Sequence, residues 1–203
     1  MIVLRREVID LERVADLYEV GVPRGQPVQR DHSLWHVTSL LEAGHLITKG
    51  KDIYPAGVDR PSGIMSLGRI WETAVDCFLY DYVESLGGLF TPNVTYTVDG
   101  ICGSLDGVMV IPALDWTLVC ESKLRFTLND DIPLSQLQQV RAYCHLAGTA
   151  LVCFVSGHIS TTPPVAQALL RIIRFTPLSI LETWQGIQNT KRYLENLGIS
   201  PTN

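Results

Sequence analysis

Between Gly103 and Phe126 the chain reads GSLDGVMVIPALDWTLVCESKLRF. Two β-forming runs flank a short reversal, so they must pair as neighbours in one sheet. Taking Pro112 to Asp115 as the loop pairs Ile111 with Trp116, and that register sets Asp106 opposite Glu121. Alternation puts Asp106, Val108 and Val110 on one side with Thr117, Val119, Glu121 and Lys123. Met109, Ile111, Trp116, Leu118 and Cys120 take the other side. Ionised side chains are costly among residues that otherwise read as buried sheet, unless something pairs with them. Opposed carboxylates with Cβ atoms about 5 Å apart repel each other and need a positive charge between them. Lys123 supplies part of it, but an ammonium is a point charge and cannot bridge several oxygens; a shared divalent cation can.

Around this hairpin the chain reads as an α/β fold, with a mixed central sheet flanked by helices. Residues 9–20 read as a short helix, and a second runs from Val37 to Ala43 with Thr38 or Ser39 as its cap. Residues 49–63, KGKDIYPAGVDRPSG, read as a loop rich in Lys, Arg and Gly, able to touch a nucleic-acid backbone. From Ser66 to Leu86 apolar residues recur at helical spacing, and Gly87 and Gly88 end the run. Strands follow over 94–99, 101–111 and 116–126, with Asp99-Gly100 as a tight turn. Pro133 opens a helix to Ala147 that Gly148 closes. TALVCFVS and ALLRIIRFT read as strands, and LSILETWQGIQNTKRYLENLG as a terminal helix.

The 203 residues, 46% of them apolar, suit a single domain with a substantial core. Residues 1–62 are its helices and loops, 63–160 its central part, and 161–203 a closing strand and helix. No run of 18 apolar residues occurs, and charges interleave through the first twenty residues, so the expected location is cytoplasmic, with no membrane partner. The five cysteines lack a CxxC pair and read as reduced core residues rather than a zinc site or disulfide framework. Asn93-Val94-Thr95 matches a glycosylation sequon, taken as chance. The net charge of -5 is unevenly spread: residues 70–122 hold eight acidic side chains and no Lys or Arg, while 123–203 hold seven basic and four acidic. A segment so acidic is poor at holding phosphate directly but suited to Mg²⁺ or Mn²⁺, which then brings phosphate in. Asp76, Asp81, Glu84 and Asp115 read as a solvated face.

An Asp in GSLDGV, a reversal, and then Glu-x-Lys in CESK resembles the PD-(D/E)XK nuclease superfamily, in its RecB-type, lambda-exonuclease-like branch. Glu72, in the helix before the sheet, is similar to that family's acidic helical position. Gln139 and Tyr143, in the helix after the Glu-x-Lys strand, resemble its Gln-x-x-x-Tyr element, and HVTSLLEAG its opening Ser/Thr-containing helix. The likeness spans roughly residues 36–156. It implies a restriction-endonuclease-like core and a Mg²⁺- or Mn²⁺-dependent deoxyribonuclease. Asp106, Glu121, the Ser122 carbonyl and Glu72 would hold the metal, and Lys123 would orient the attacking water or stabilise developing charge. Gln139 and Tyr143, four apart on one helical face, would contact substrate phosphate or the lysine, and Arg125 and Arg141, flanking the site, would contact the DNA backbone. The cysteines lack the clustering that an iron-sulfur cluster requires, and no helicase motor is present, so the resemblance implies a stand-alone nuclease domain. It implies exonuclease action in DNA recombination, repair or processing. It also implies a homo-oligomer and a strand-annealing or replication partner, as in phage-like systems.

Three other readings compete. One is a nucleic-acid-binding module on the same fold, in which cleavage is lost or needs a partner. Another is a structure-specific endonuclease. The third is a hydrolase using Cys120 or Ser122 as nucleophile, which lacks a histidine nearby in sequence and needs a thiol that alternation sends to the apolar face. His145 and His158 read as structural residues rather than metal ligands.

Overall fold

The computed structural model describes residues 1–10, 31, 33–51, 62–125, 131–161 and 164–201. Strands β1 (Ile2–Asp10), β2 (Trp35–His36), β3 (Leu89–Val98), β4 (Ile101–Ile111), β5 (Trp116–Arg125), β6 (Leu151–Thr161) and β7 (Pro164–Arg174) form one mixed sheet. Its order is β1-β7-β6-β5-β4-β2, with β3 paired to β4. Helices α1 (Val37–Thr48), α3 (Leu134–Ala147) and α4 (Pro177–Asn196) cover one face, and α2 (Ser62–Glu84) packs on the other. This is the α/β arrangement that the sequence predicts.

Each face has its own core. On the α3 side Val108, Val119, Val152, Phe154 and Ile173 meet Leu40, Val140, Tyr143, Trp184 and Ile187. On the α2 side Met109, Ile111, Leu118, Cys120, Cys153, Val155 and Ile172 meet Trp71, Val75, Leu79 and Val83. The hairpin alternation therefore holds along 107–111 and 116–120, and Ile111 pairs with Trp116. All five cysteines are buried free thiols. The turn at Asp99-Gly100 has positive φ at both residues, 53° and 72°, the conformation of a two-residue hairpin turn that matches strand twist.

Several expectations need correction. Ile9 and Asp10 end strand β1 rather than start a helix, while 11–20 lie outside the described residues, as do 52–61 of the Lys/Arg/Gly-rich loop. β1 is legible only through its partner: it pairs antiparallel with β7 at the sheet edge, and its Arg5, Arg6 and Glu7 hide the strand signal. Helix α1 starts at Val37 without a side-chain cap, so neither Thr38 nor Ser39 caps it. It also runs past Gly44, which does not end the helix. A Cβ there would lie 2.8 Å from Thr190 Oγ1 of α4, so the glycine permits close helix packing. β3 starts at Leu89, five residues early, because an edge strand paired only with β4 tolerates Pro92. Asp76 is not solvated: it is 5% exposed, whereas Asp81, Glu84 and Asp115 are exposed as expected.

α2 is seated by Trp71 lying flat on Gly157 of β6. A Cβ on Gly157 would fall 2.1 Å from Trp71 Cη2, so this position accepts no side chain while the indole stays in place.

Candidate active site

The β4–β5 hairpin opens into a fork at the two carboxylates. The ladder from Ile111–Trp116 ends at Gly107–Cys120, one step short of the Asp106–Glu121 pair. Ser122 N–H instead donates to Asp106 Oδ2 at 2.7 Å, and Ser122 Oγ donates to the same oxygen at 3.0 Å. The carboxylate thus takes a backbone donor that a continued ladder would use. β4 also rotates here. Leu105 lies in the α3-side core, yet a Cβ on Gly107 would lie 2.4 Å from Phe90 Cε2 in the α2-side core. Residues two apart in a regular strand share a face. Asp106 therefore sits at a face reversal, level with Asn93 of β3, whose φ is 52°. Beyond the fork β5 continues beside β6, from Glu121–Phe154 to Arg125–His158.

Glu121 is 2% exposed. Its Oε1 receives the Lys123 ammonium and the Gln139 amide, the latter at 3.1 Å. Gln139 Nε2 also lies 3.0 Å from Tyr143 OH. Glu121 Oε2 is buried with no hydrogen-bond partner. Leaving a buried carboxylate oxygen without a donor costs more than the typical hydrogen bond gains, so such an atom calls for a partner of another kind.

The electrostatics follow from this crowding. Desolvation first, and then repulsion by Asp106, pushes Glu121 up to about 8, with Lys123 opposing. Desolvation also raises Asp106; Lys123 and the Ser122 N–H pull against it, and Glu72 adds to the rise. Burial works against the Lys123 charge, but Glu121 and then Asp106 outweigh it and lift its pKa, so it stays cationic. A carboxyl raised in the folded state binds more protons than in the unfolded chain, so its contribution to stability falls as pH rises between the two pKa values. The metal-free protein is therefore expected to lose thermal stability from about pH 5 to about pH 8, the window set by Glu121. Added Mg²⁺ is expected to offset this progressively, because a cation requires the ionised carboxylate. Melting curves at stepped pH with Mg²⁺ and with chelator check it: a gap that does not widen between pH 6 and 8 contradicts the coupling.

The structure thus brings Asp106, Glu121, Ser122, Lys123, Gln139 and Tyr143 together. Glu72 of α2 is near enough for its charge to act on Asp106, Glu121 and Lys123. Gln139 donates to Glu121, and Tyr143, 3% exposed, accepts from the Gln139 amide behind it. Arg141 is not brought to the site. It lies about 200° around α3 from Gln139, with its guanidinium over the Phe175 ring at 5.2 Å. Arg125 closes β5, and its side chain lies outside the described residues. His145 stacks on Trp184, as a structural histidine would, and Cys120 points into the α2-side core. Sequence reasoning read Asp76, one helical turn beyond Glu72, as solvated, and passed over the buried Arg171 and Ser156. An i, i+4 acidic pair on a core helix and an arginine inside ALLRIIRFT were the available signals.

Among the described residues no group of three or more His, Cys, Asp and Glu side chains is placed to cage an ion by itself. Two carboxylates and a backbone carbonyl nevertheless suit Mg²⁺, which keeps several waters and shares its shell with substrate oxygens. The partnerless Glu121 Oε2 fits a ligand to such an ion.

No family model and no curated protein matches the sequence. Among solved structures, the chain is similar to LHK-Exo in complex with dAMP, at 13% identity and a TM-score of 0.47, over 81% of this chain and 89% of that one. It is also similar to an alkaline exonuclease (LHK-Exo) from Laribacter hongkongensis, at 14% identity and a TM-score of 0.45, over 93% and 88%. At scores below 0.5 neither likeness bears on what this site does. No described helix is long and apolar enough to cross a membrane.

Proposed function

We propose that this protein is a divalent-cation-dependent DNA nuclease acting at the β4–β5 fork. One observation carries the reading: a fully buried glutamate, beside a second carboxylate and an ammonium, leaves one oxygen without a donor. Asp106, Glu121 and the Ser122 carbonyl would hold Mg²⁺ or Mn²⁺, with Glu72 extending the set. When bound, such a cation makes a water acidic enough to attack a phosphodiester and neutralises charge growing on the phosphate.

The chain's own residues prepare that chemistry. Ser122 fixes the Asp106 carboxylate through Oδ2, so its orientation is set before an ion arrives. Gln139 and Lys123 both engage Glu121 Oε1, which leaves Oε2 clear of both groups. Lys123, 30% exposed at its side chain, keeps access to an incoming phosphate and stays charged there. Gln139→Ala removes one of the two groups on Oε1 and is expected to slow cleavage about ten- to hundredfold, as loss of a hydrogen bond to a charged group does. Single-turnover rates on linear duplex DNA test it, and an unchanged rate removes Gln139 from the site.

The finer proposal is an exonuclease, supported by the motif's resemblance to the lambda-exonuclease-like branch. Purified protein with linear and circular DNA, each with and without Mg²⁺ or Mn²⁺, separates the readings. Metal-dependent loss of linear DNA with circular DNA intact supports an exonuclease; cutting of both indicates an endonuclease. Binding without cleavage under every metal condition indicates the binding module.

A further inference from the structure

A buried cation lies on the α3 side of the sheet, beyond Lys123. Arg171 of β7 is 4% exposed and Ser156 of β6 is 2% exposed. Register sets Glu121, Phe154 and Arg171 in one row across β5, β6 and β7, and Lys123, Ser156 and Leu169 in the next. Registered partners share a face, so guanidinium, hydroxyl and ammonium all lie on the side of Glu121. The Arg171 guanidinium passes over the Phe154 ring, 5.6 Å from its centre, and Nη2 donates to Ser156 Oγ at 2.5 Å.

A lysine on a four-carbon stem can fold toward either neighbouring strand. Toward β4 it meets the carboxylates; toward β6 it meets Ser156, whose strand runs about 4.8 Å away. Arg171 donates to that hydroxyl and places a positive charge behind it, which disfavours approach of a second cation there. We propose that Arg171, acting through Ser156, is a positioning residue for Lys123. It closes the β6 side to the ammonium and holds it at Glu121, where phosphate would arrive. This rests on reading Asp106, Glu121 and Lys123 as a nuclease centre.

The test compares the parent, Lys123→Ala, Arg171→Met and Arg171→Met with Ser156→Ala on linear duplex DNA with Mg²⁺, resolving kcat from KM. Arg171→Met is expected to lower kcat about ten- to hundredfold with KM within about threefold. Adding Ser156→Ala removes the competing acceptor and is expected to restore most of the lost kcat. A purely structural role makes the two losses add, and direct contact with DNA appears in KM. Either result, or an Arg171→Met enzyme as fast as the parent, overturns the proposal. Thermal melting reports whether each variant folds. Should Arg171→Met fail to fold, Arg171→Lys decides, since it keeps the cation: kcat within about threefold of the parent supports the role, and a loss beyond about tenfold at unchanged melting temperature overturns it. A parent that cleaves nothing, or a Lys123→Ala protein as active as the parent, defeats the nuclease reading itself, and this inference with it.

Discussion

Asp106→Asn is expected to lower metal-dependent DNA cleavage by about a thousandfold or more, because it removes one of the two carboxylates facing each other at the fork. The chain should stay folded. Asparagine keeps an oxygen able to accept from Ser122 N–H and Oγ, so the fork keeps its pin. It also removes the charge that, after desolvation, does most to raise Glu121. The metal-free variant is therefore expected to melt at or above the parent's temperature, while the stabilisation that Mg²⁺ gives the parent largely disappears. Lys123→Ala is expected to match it in lost cleavage and to differ in stability: it strips the ammonium from a buried glutamate, so the metal-free protein should melt lower. Paired activity assays and melting curves check both. An Asp106→Asn protein that digests linear DNA at the parental rate would place the chemistry elsewhere.

Gly157→Val is expected to unseat α2. Three Trp71 ring atoms lie within 2.5 Å of where a Cβ would stand, and the neighbours on this face, Val155, Ala168 and Leu170, are themselves buried. Overpacking of this kind costs about 3 kcal/mol or more, which for a chain of this length corresponds to a drop of roughly 6–12 °C in Tm. Glu72 follows Trp71 on α2, so cleavage should fall with stability. Trp71→Ala in the Gly157→Val background opens the space and is expected to recover part of the melting temperature, though not the activity, since the helix loses its anchor. If Gly157→Val melts like the parent, the flat seating of the indole is wrong.

Much of this arrangement was legible in residue order. The turn at Asp99-Gly100, the Ile111–Trp116 register, the two apolar faces of the hairpin and the Gly148 stop are local consequences of backbone preference and period-two alternation. What local rules miss are the places where a distant partner decides. β1 is a strand because β7 lies beside it, Gly44 sits inside a helix where only a glycine lets Thr190 pack so close, and Asp76 is buried although its helix carries acids that are solvated. Gln139 and Tyr143 could be placed on one helical face from their spacing, but what that face meets depends on how α3 crosses β5.

The sequence by itself determined that Asp106, Glu121 and Lys123 would meet at one end of a hairpin, since strand geometry leaves a fixed register little freedom. Only the tertiary structure decided that the hairpin parts at that end: β4 reverses its faces level with Asn93, β5 follows β6, and the Asp106 carboxylate takes the donor that a ladder would have used. The physical reason is that pairing is additive along a strand until a side chain can satisfy the backbone better than the next residue's carbonyl. Whether one can depends on what the neighbouring strands and helices bring to that point.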